Sequence, residues 1–172
     1  MNLEMASLPT ALTLVFTLVP FHHGASRYLD ETYLLGERPE RPLTGLVDFL
    51  FFLVEAGAFY VMALLIPQAK SFFFVLGLLL LMDVVWLAWV YFNAPKSFGK
   101  VRPWLWLNVS MIVVLVVLCS SEVVMADNVY KWGLLTGLAL LRSVLDYALG
   151  WPFYWPAYTA ANVPTTDQAQ WN

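Results

Sequence analysis

The sequence predicts an all-α protein, a polytopic transmembrane helical bundle with five spans. Three observations predict it. The 172 residues are 60% hydrophobic and only 12% charged, where a soluble domain carries about 25% charged residues. Mean hydropathy is +0.69. The apolar residues gather in runs close to the roughly 20 residues that cross a hydrocarbon layer about 30 Å thick. Helices are the open-ended structure that satisfies its own backbone there. The whole chain, 1–172, reads as one integral membrane domain.

The first expected span covers residues 5–21, between Pro9 and Pro20 near its ends. The run at 8–19 looks like the core of a signal peptide. Glu4 precedes it, no Lys or Arg does, and no small-residue cleavage site follows, so it reads as retained. Residues 22–35 continue as an interfacial helix. His23, Arg27 and Glu31 recur every four residues and form one polar stripe, in which Arg27 and Glu31 can pair.

The second span, 43–66, is ended by Pro67. The third, 72–92, is ended by Asn93, Ala94 and Pro95. The fourth, 104–125, is opened by Pro103, and the fifth, 132–149, is ended by Gly150 and Pro152. These are ordinary stop and start signals for helices. The aromatic stretch that begins the tail 151–172 reads as a non-helical plug or interfacial anchor, followed by a polar end.

Lysines and arginines set the expected orientation. With five spans, one side holds Arg27, Arg38, Arg41, Lys96, Lys100 and Arg102, and the other Lys70 and Lys131. The basic side faces the cytoplasm. The amino terminus is then outside and the carboxyl terminus inside, in an inner or plasma membrane. Trp104, Trp106, Trp132, Trp151 and Trp155 fall at span ends, as interfacial belts do.

Ionisable residues inside the spans carry the functional argument. Glu55, Asp83 and Arg142 fall near the middle of their spans, and Asp146, Asp48 and Asn108 lie toward the basic side, where His22 and His23 emerge. In the fifth span, eight Leu or Val residues contribute roughly −4 kcal/mol to insertion, while Arg142 and Asp146 together cost about 5 to 7 kcal/mol. Such groups turn inward and pair. Arg142 and Asp146 are four apart and can bridge along the helix. Asp48 and Glu55 are seven apart and share a face. On the opposite face of the fifth helix, Gly133 and Gly137 form a small-xxx-small pair suited to close packing on another helix.

Glu55, Asp83 and Asp146 against Arg142 leave two excess negative charges if all ionise. At least one carboxyl is therefore expected to be protonated, metal-bound, hydrated or neutralised by His22, His23 or Arg27. This points to a relay or channel for H⁺ or a small cation, acting as an oligomer. The expected roles are Glu55 and Asp83 as carriers, Arg142 as counter-ion held by Asp146, and Asp48, His22 and His23 leading toward the cytoplasm. The alternatives are a non-catalytic subunit of a larger membrane complex, and an intramembrane lipid-modifying enzyme. Expected partners are membrane lipids and further copies or partner subunits.

Other classes are disfavoured. A net charge of −3, with no basic face, excludes nucleic acid as an expected partner. Adjacent His22 and His23 point about 100° apart on a helix, so no metal or cofactor is expected. Cys119 stands alone, which leaves no intrachain disulfide or thiolate metal site. No serine sits in a catalytic motif.

Overall fold

The computed structural model describes residues 3–34, 42–93, 95–120 and 129–154. All regular structure among them is helical: α1 Leu3–Leu29, a π-helical turn Asp30–Leu34, α2 Pro42–Leu64, α3 Ala69–Asn93, α4 Pro95–Ser120, α5 Val129–Leu149 and α6 Trp151–Tyr154. Four stretches are long and apolar enough to cross a membrane: Leu43–Leu64, Ala69–Asn93, Val101–Cys119 and Tyr130–Leu149.

The first helix differs from expectation. Instead of a short span and a separate interfacial helix, α1 runs unbroken for 27 residues, about 40 Å at 1.5 Å per residue. Among the described residues it is not one of the four apolar stretches. Its path nevertheless matches theirs. Near its start, Thr10 donates to the Ile66 carbonyl in the α2–α3 turn (2.7 Å). At its end, Arg27 Nε donates to the Phe153 carbonyl of α6 (2.9 Å).

Pro20 does not break α1, for a specific reason. Proline has no N–H for the carbonyl four residues back, which here belongs to Phe16. Ser143 Oγ of α5 donates to that carbonyl instead. Seven residues earlier the contact recurs: Thr136 Oγ1 donates to the Pro9 carbonyl (2.8 Å) and lies 2.9 Å from Thr13 Oγ1. The repeat shows that α1 and α5 run parallel in fixed register.

Other boundaries move slightly. Pro95, not Pro103, opens α4, and Pro103 lies inside it. The expected end of that span at Met125 lies outside the described residues, as do Arg38, Arg41 and the tail beyond Tyr154. The side chains of Glu31, Lys96 and Lys100 lie outside them too, so the Arg27–Glu31 pair is not described. The aromatic stretch is a correction: Trp151–Tyr154 forms one helical turn. After Gly150 this turn is closed by the Phe153 and Tyr154 amides, which donate to the Gly150 carbonyl (2.9 Å each). A Cβ on Gly150 would lie 2.8 Å from the Asp146 carbonyl oxygen and from the Tyr154 ring, so this close approach needs glycine.

The long helices pack in a closed ring, α1 beside α2, α2 beside α3, α3 beside α4, α4 beside α5 and α5 beside α1. Two apolar clusters fill it. One, around Phe72, Leu76, Leu80, Leu115 and Leu135, occupies the half that contains the starts of α3 and α5. The other, around Tyr28, Phe51, Trp86, Trp104 and Phe153, occupies the opposite half. The outer faces are apolar, with Leu53 58%, Phe74 68% and Val85 63% exposed, while Asp48, Glu55, Asp83, Arg142 and Asp146 are buried. Apolar outside and charged inside is the arrangement that lipid imposes.

Candidate functional site

The buried charges meet between the two apolar clusters. From α3, Asp83 accepts from Asn108 Nδ2 of α4. Asn108 Oδ1 in turn accepts from Arg142 Nε (3.1 Å) and Nη2 (2.5 Å) of α5. Arg142 Nη1 reaches Asp146 Oδ2 at 3.6 Å, one helical turn on. Tyr154 of α6 donates to Asp146 Oδ1 (2.7 Å). Four helices thus build one polar chain, Asp83–Asn108–Arg142–Asp146–Tyr154. Each link is worth more here than in water, because little solvent competes.

Aromatic rings seal the chain. The Phe21 ring centroid lies 4.8 Å from the Arg142 guanidinium carbon, close enough for the ring face to stabilise the cation. His23 lies against Tyr154 and Tyr147, with centroids 4.7 and 5.8 Å apart. Gly24 admits this packing: a Cβ there would fall 2.9 Å from Trp104 Cζ2 and 3.2 Å from the Tyr154 hydroxyl. The segment Phe21 to Arg27 and the segment Arg142 to Tyr147 therefore meet across the α1–α5 contact.

Glu55 lines the same cavity but stands apart from the chain of bonds. The cavity is about 20 Å³, bounded by Glu55, Asp83, Arg142, Asp146 and the rings of Phe21 and Trp86. That volume holds about one water. Among the described residues Glu55 makes no hydrogen bond or ion pair, although it is 5% exposed. Arg142 Nη1 is likewise buried with no hydrogen-bond acceptor. A buried carboxyl without a bond and a guanidinium N–H without an acceptor thus face one water-sized space.

Asp48 belongs to a separate site. Its Oδ2 accepts from Tyr33 (2.8 Å) and Tyr28 (3.2 Å), and its Oδ1 from the Trp86 indole (2.9 Å). Neither histidine is among these donors. His22 is exposed on α1, whereas His23 sits beside the Asp146–Tyr154 pair. Burial and the hydrogen bond to Asp48 push the Tyr33 hydroxyl above its ordinary range. Burial and the Asp146 charge do the same to Tyr154.

Asp83, Arg142 and Asp146 are thus joined in one network, Glu55 shares its cavity, and Asp48 and His22 lie apart. Sequence reasoning placed Asn108 at the right depth without giving it a role, and it missed Tyr154, Tyr28 and Tyr33. Asn108 is the central link, since its amide satisfies an acid and a base together. Among the described residues, a Cβ added at Gly133 or Gly137 would meet no atom within 4 Å, so no described helix packs on that face of α5. Among the described residues, no three His, Cys, Asp or Glu side chains are placed to hold a metal ion. No protein family, curated protein or solved structure matches the chain.

Proposed function

We propose that this membrane protein relays protons through the Glu55–Asp83–Arg142–Asp146 cavity. The observation that carries the reading is Glu55, a buried carboxyl with no hydrogen bond or ion pair among the described residues, in a cavity lined by one cation, Arg142. Three carboxyls facing one guanidinium leave two excess negative charges if all ionise, and a proton is the smallest carrier that removes one of them. Glu55 holds that proton, and one water in the cavity passes it to Asp83. Arg142 and Asn108 hold the receiving carboxylate in place, and Asp146, Tyr154 and His23 extend the path toward the end of α1.

A relay suits the geometry better than an open pore. The cavity admits about one water, and the Phe72–Leu135 cluster fills the bundle beyond it. Passage across the whole membrane then requires that cluster to part. By the distribution of basic residues, the Arg27 end faces the cytoplasm and the amino terminus faces outward. A larger assembly is the second reading, favoured by the Gly133–Gly137 face, on which no described helix packs and which offers a close-approach surface to another helix. In that reading the chain is a non-catalytic subunit. A lipid-modifying enzyme is less favoured, because Ser143, the buried serine beside Arg142, is engaged by the carbonyls of Phe16 and Ala139.

The test is a pH-gradient flux assay in reconstituted vesicles. The relay predicts a flux that Glu55→Gln and Asp83→Asn each abolish. A flux surviving both substitutions removes the relay. No flux at all, with a stable membrane partner co-purifying, favours the accessory subunit.

A further inference from the structure

The indole of Trp86 stands between two acidic groups. On one side it bounds the water-sized cavity, together with Glu55, Asp83 and Arg142. On the other its N–H donates to Asp48 Oδ1 (2.9 Å), and Asp48 does not line the cavity. Sequence spacing explains the placement. Trp86 follows Asp83 by three residues on α3, so the two share a face. Asp48 and Glu55 share a face of α2, about 10 Å apart along its axis. The indole reaches both levels.

The ring is held from several directions. Phe51 stacks on it, with centroids 4.7 Å apart and planes inclined by 14°. Tyr28 meets it edge-on at 4.9 Å, and Phe52 lies 5.6 Å away. Both Trp86 and Asp48 are buried. A stack, an edge contact and a hydrogen bond together make the indole a fixed wall.

That wall bears on what the cavity can hold. Its volume is about 20 Å³, room for about one water. A proton needs no more, since it passes between carboxyl and water along a hydrogen bond. A sodium ion needs oxygen atoms to replace its hydration shell. The rings of Phe21, Phe51 and Trp86 supply none. Arg142 Nη1, buried without a hydrogen-bond acceptor, repels a second cation. Without the indole, the oxygens of Asp48 would join those of Glu55 and Asp83 around one larger, hydrated space.

We propose that the Trp86 indole is the selectivity wall of this cavity: it keeps the space to one water, and so admits protons and excludes sodium. This role rests on the relay reading above and names the residue that makes the relay selective.

Removing the indole is the test, read by the carbonyl stretch of protonated Glu55 in infrared spectra of the protein in bilayers. Spectra at neutral pH are compared in sodium chloride and in N-methylglucamine chloride of equal ionic strength. In the unmodified protein the band is expected to be the same in both. In Trp86→Ala, sodium is expected to displace the proton and remove most of the band. Trp86→Phe keeps a smaller ring without the bond to Asp48 and is expected to show a partial loss, which decides the matter by itself if Trp86→Ala does not fold. Trp106→Ala removes an exposed indole that does not line the cavity, and its band is expected to stay indifferent to sodium. A sodium-sensitive band in the unmodified protein overturns the selectivity wall, and so does indifference to sodium in the Trp86 variants. A missing protonated-carboxyl band in the unmodified protein instead removes the relay reading, and the wall with it.

Discussion

Ser143 donates its hydroxyl to the carbonyl of Phe16, the group that Pro20 leaves without its helical amide. The Ala139 carbonyl also lies 2.9 Å from the same hydroxyl, but it already has a helical donor. The bond to Phe16 is therefore the one that matters. It lets a proline sit inside a long buried helix and ties α1 to α5 beside Arg142.

Ser143→Ala is expected to destabilise the protein by about 1–2 kcal/mol, because a buried carbonyl loses its donor. Pro20→Ala restores an amide to that carbonyl, so the serine substitution costs less in the Pro20→Ala background. Thermal unfolding in detergent of the two single variants and the double variant measures the coupling. Strictly additive effects contradict the assignment.

Arg142 and Glu55 differ in their consequences. Arg142→Met removes the cation that faces Asp83 and Asp146 and orphans Asn108 Oδ1. A loss of about 3–5 kcal/mol is expected for a broken buried ion pair. Glu55→Gln removes no bond and is expected to change stability by less than about 0.5 kcal/mol. Denaturation midpoints of the two variants under one condition make the comparison.

Asp48 accepts from three buried donors, Tyr28, Tyr33 and Trp86. Asp48→Ala leaves all three without an acceptor and is expected to cost about 3 kcal/mol or more. Asp48→Asn keeps one acceptor oxygen and costs less. Unfolding midpoints, read with the change in indole emission as Trp86 loses its bond, rank the two.

Tyr154 gives a pH signature outside the spans. Burial first, and then the Asp146 charge, push its hydroxyl above the ordinary range, as burial and Asp48 do for Tyr33. A raised phenol favours the folded state while the unfolded phenol would stay neutral, below about pH 10. The contribution is lost as pH rises from there through the folded-state value. Alkaline titration followed by tyrosinate absorbance is expected to leave both groups un-ionised near pH 10. Gly150→Ala, which drives a Cβ into the Asp146 carbonyl and the Tyr154 ring, is expected to add one tyrosine to those ionising there.

The spans were legible because lipid demands long apolar runs, and the inward turn of Glu55, Asp83, Arg142 and Asp146 followed from the cost of exposing them. The Arg142–Asp146 contact followed from a spacing of four, although the structure gives it a long 3.6 Å separation. What the sequence hid was pairwise and non-local. Pro20 looked like a helix end because its compensating donor lies 123 positions away at Ser143. Tyr154 looked like part of a non-helical anchor because its bond to Asp146 depends on the close approach of its ring to Gly150. Asn108 carried no periodic signal. Its importance lies in standing between Asp83 and Arg142, which only the packing of three helices reveals.

The central claim is that the cavity beside Arg142 holds an exchangeable proton on Glu55. Infrared spectroscopy of the protein in bilayers measures this directly, through the carbonyl stretch of a protonated carboxyl. The account predicts such a band near neutral pH, shifted in D₂O and missing in Glu55→Gln. A spectrum with no protonated carboxyl, or a band unchanged by Glu55→Gln, would contradict it.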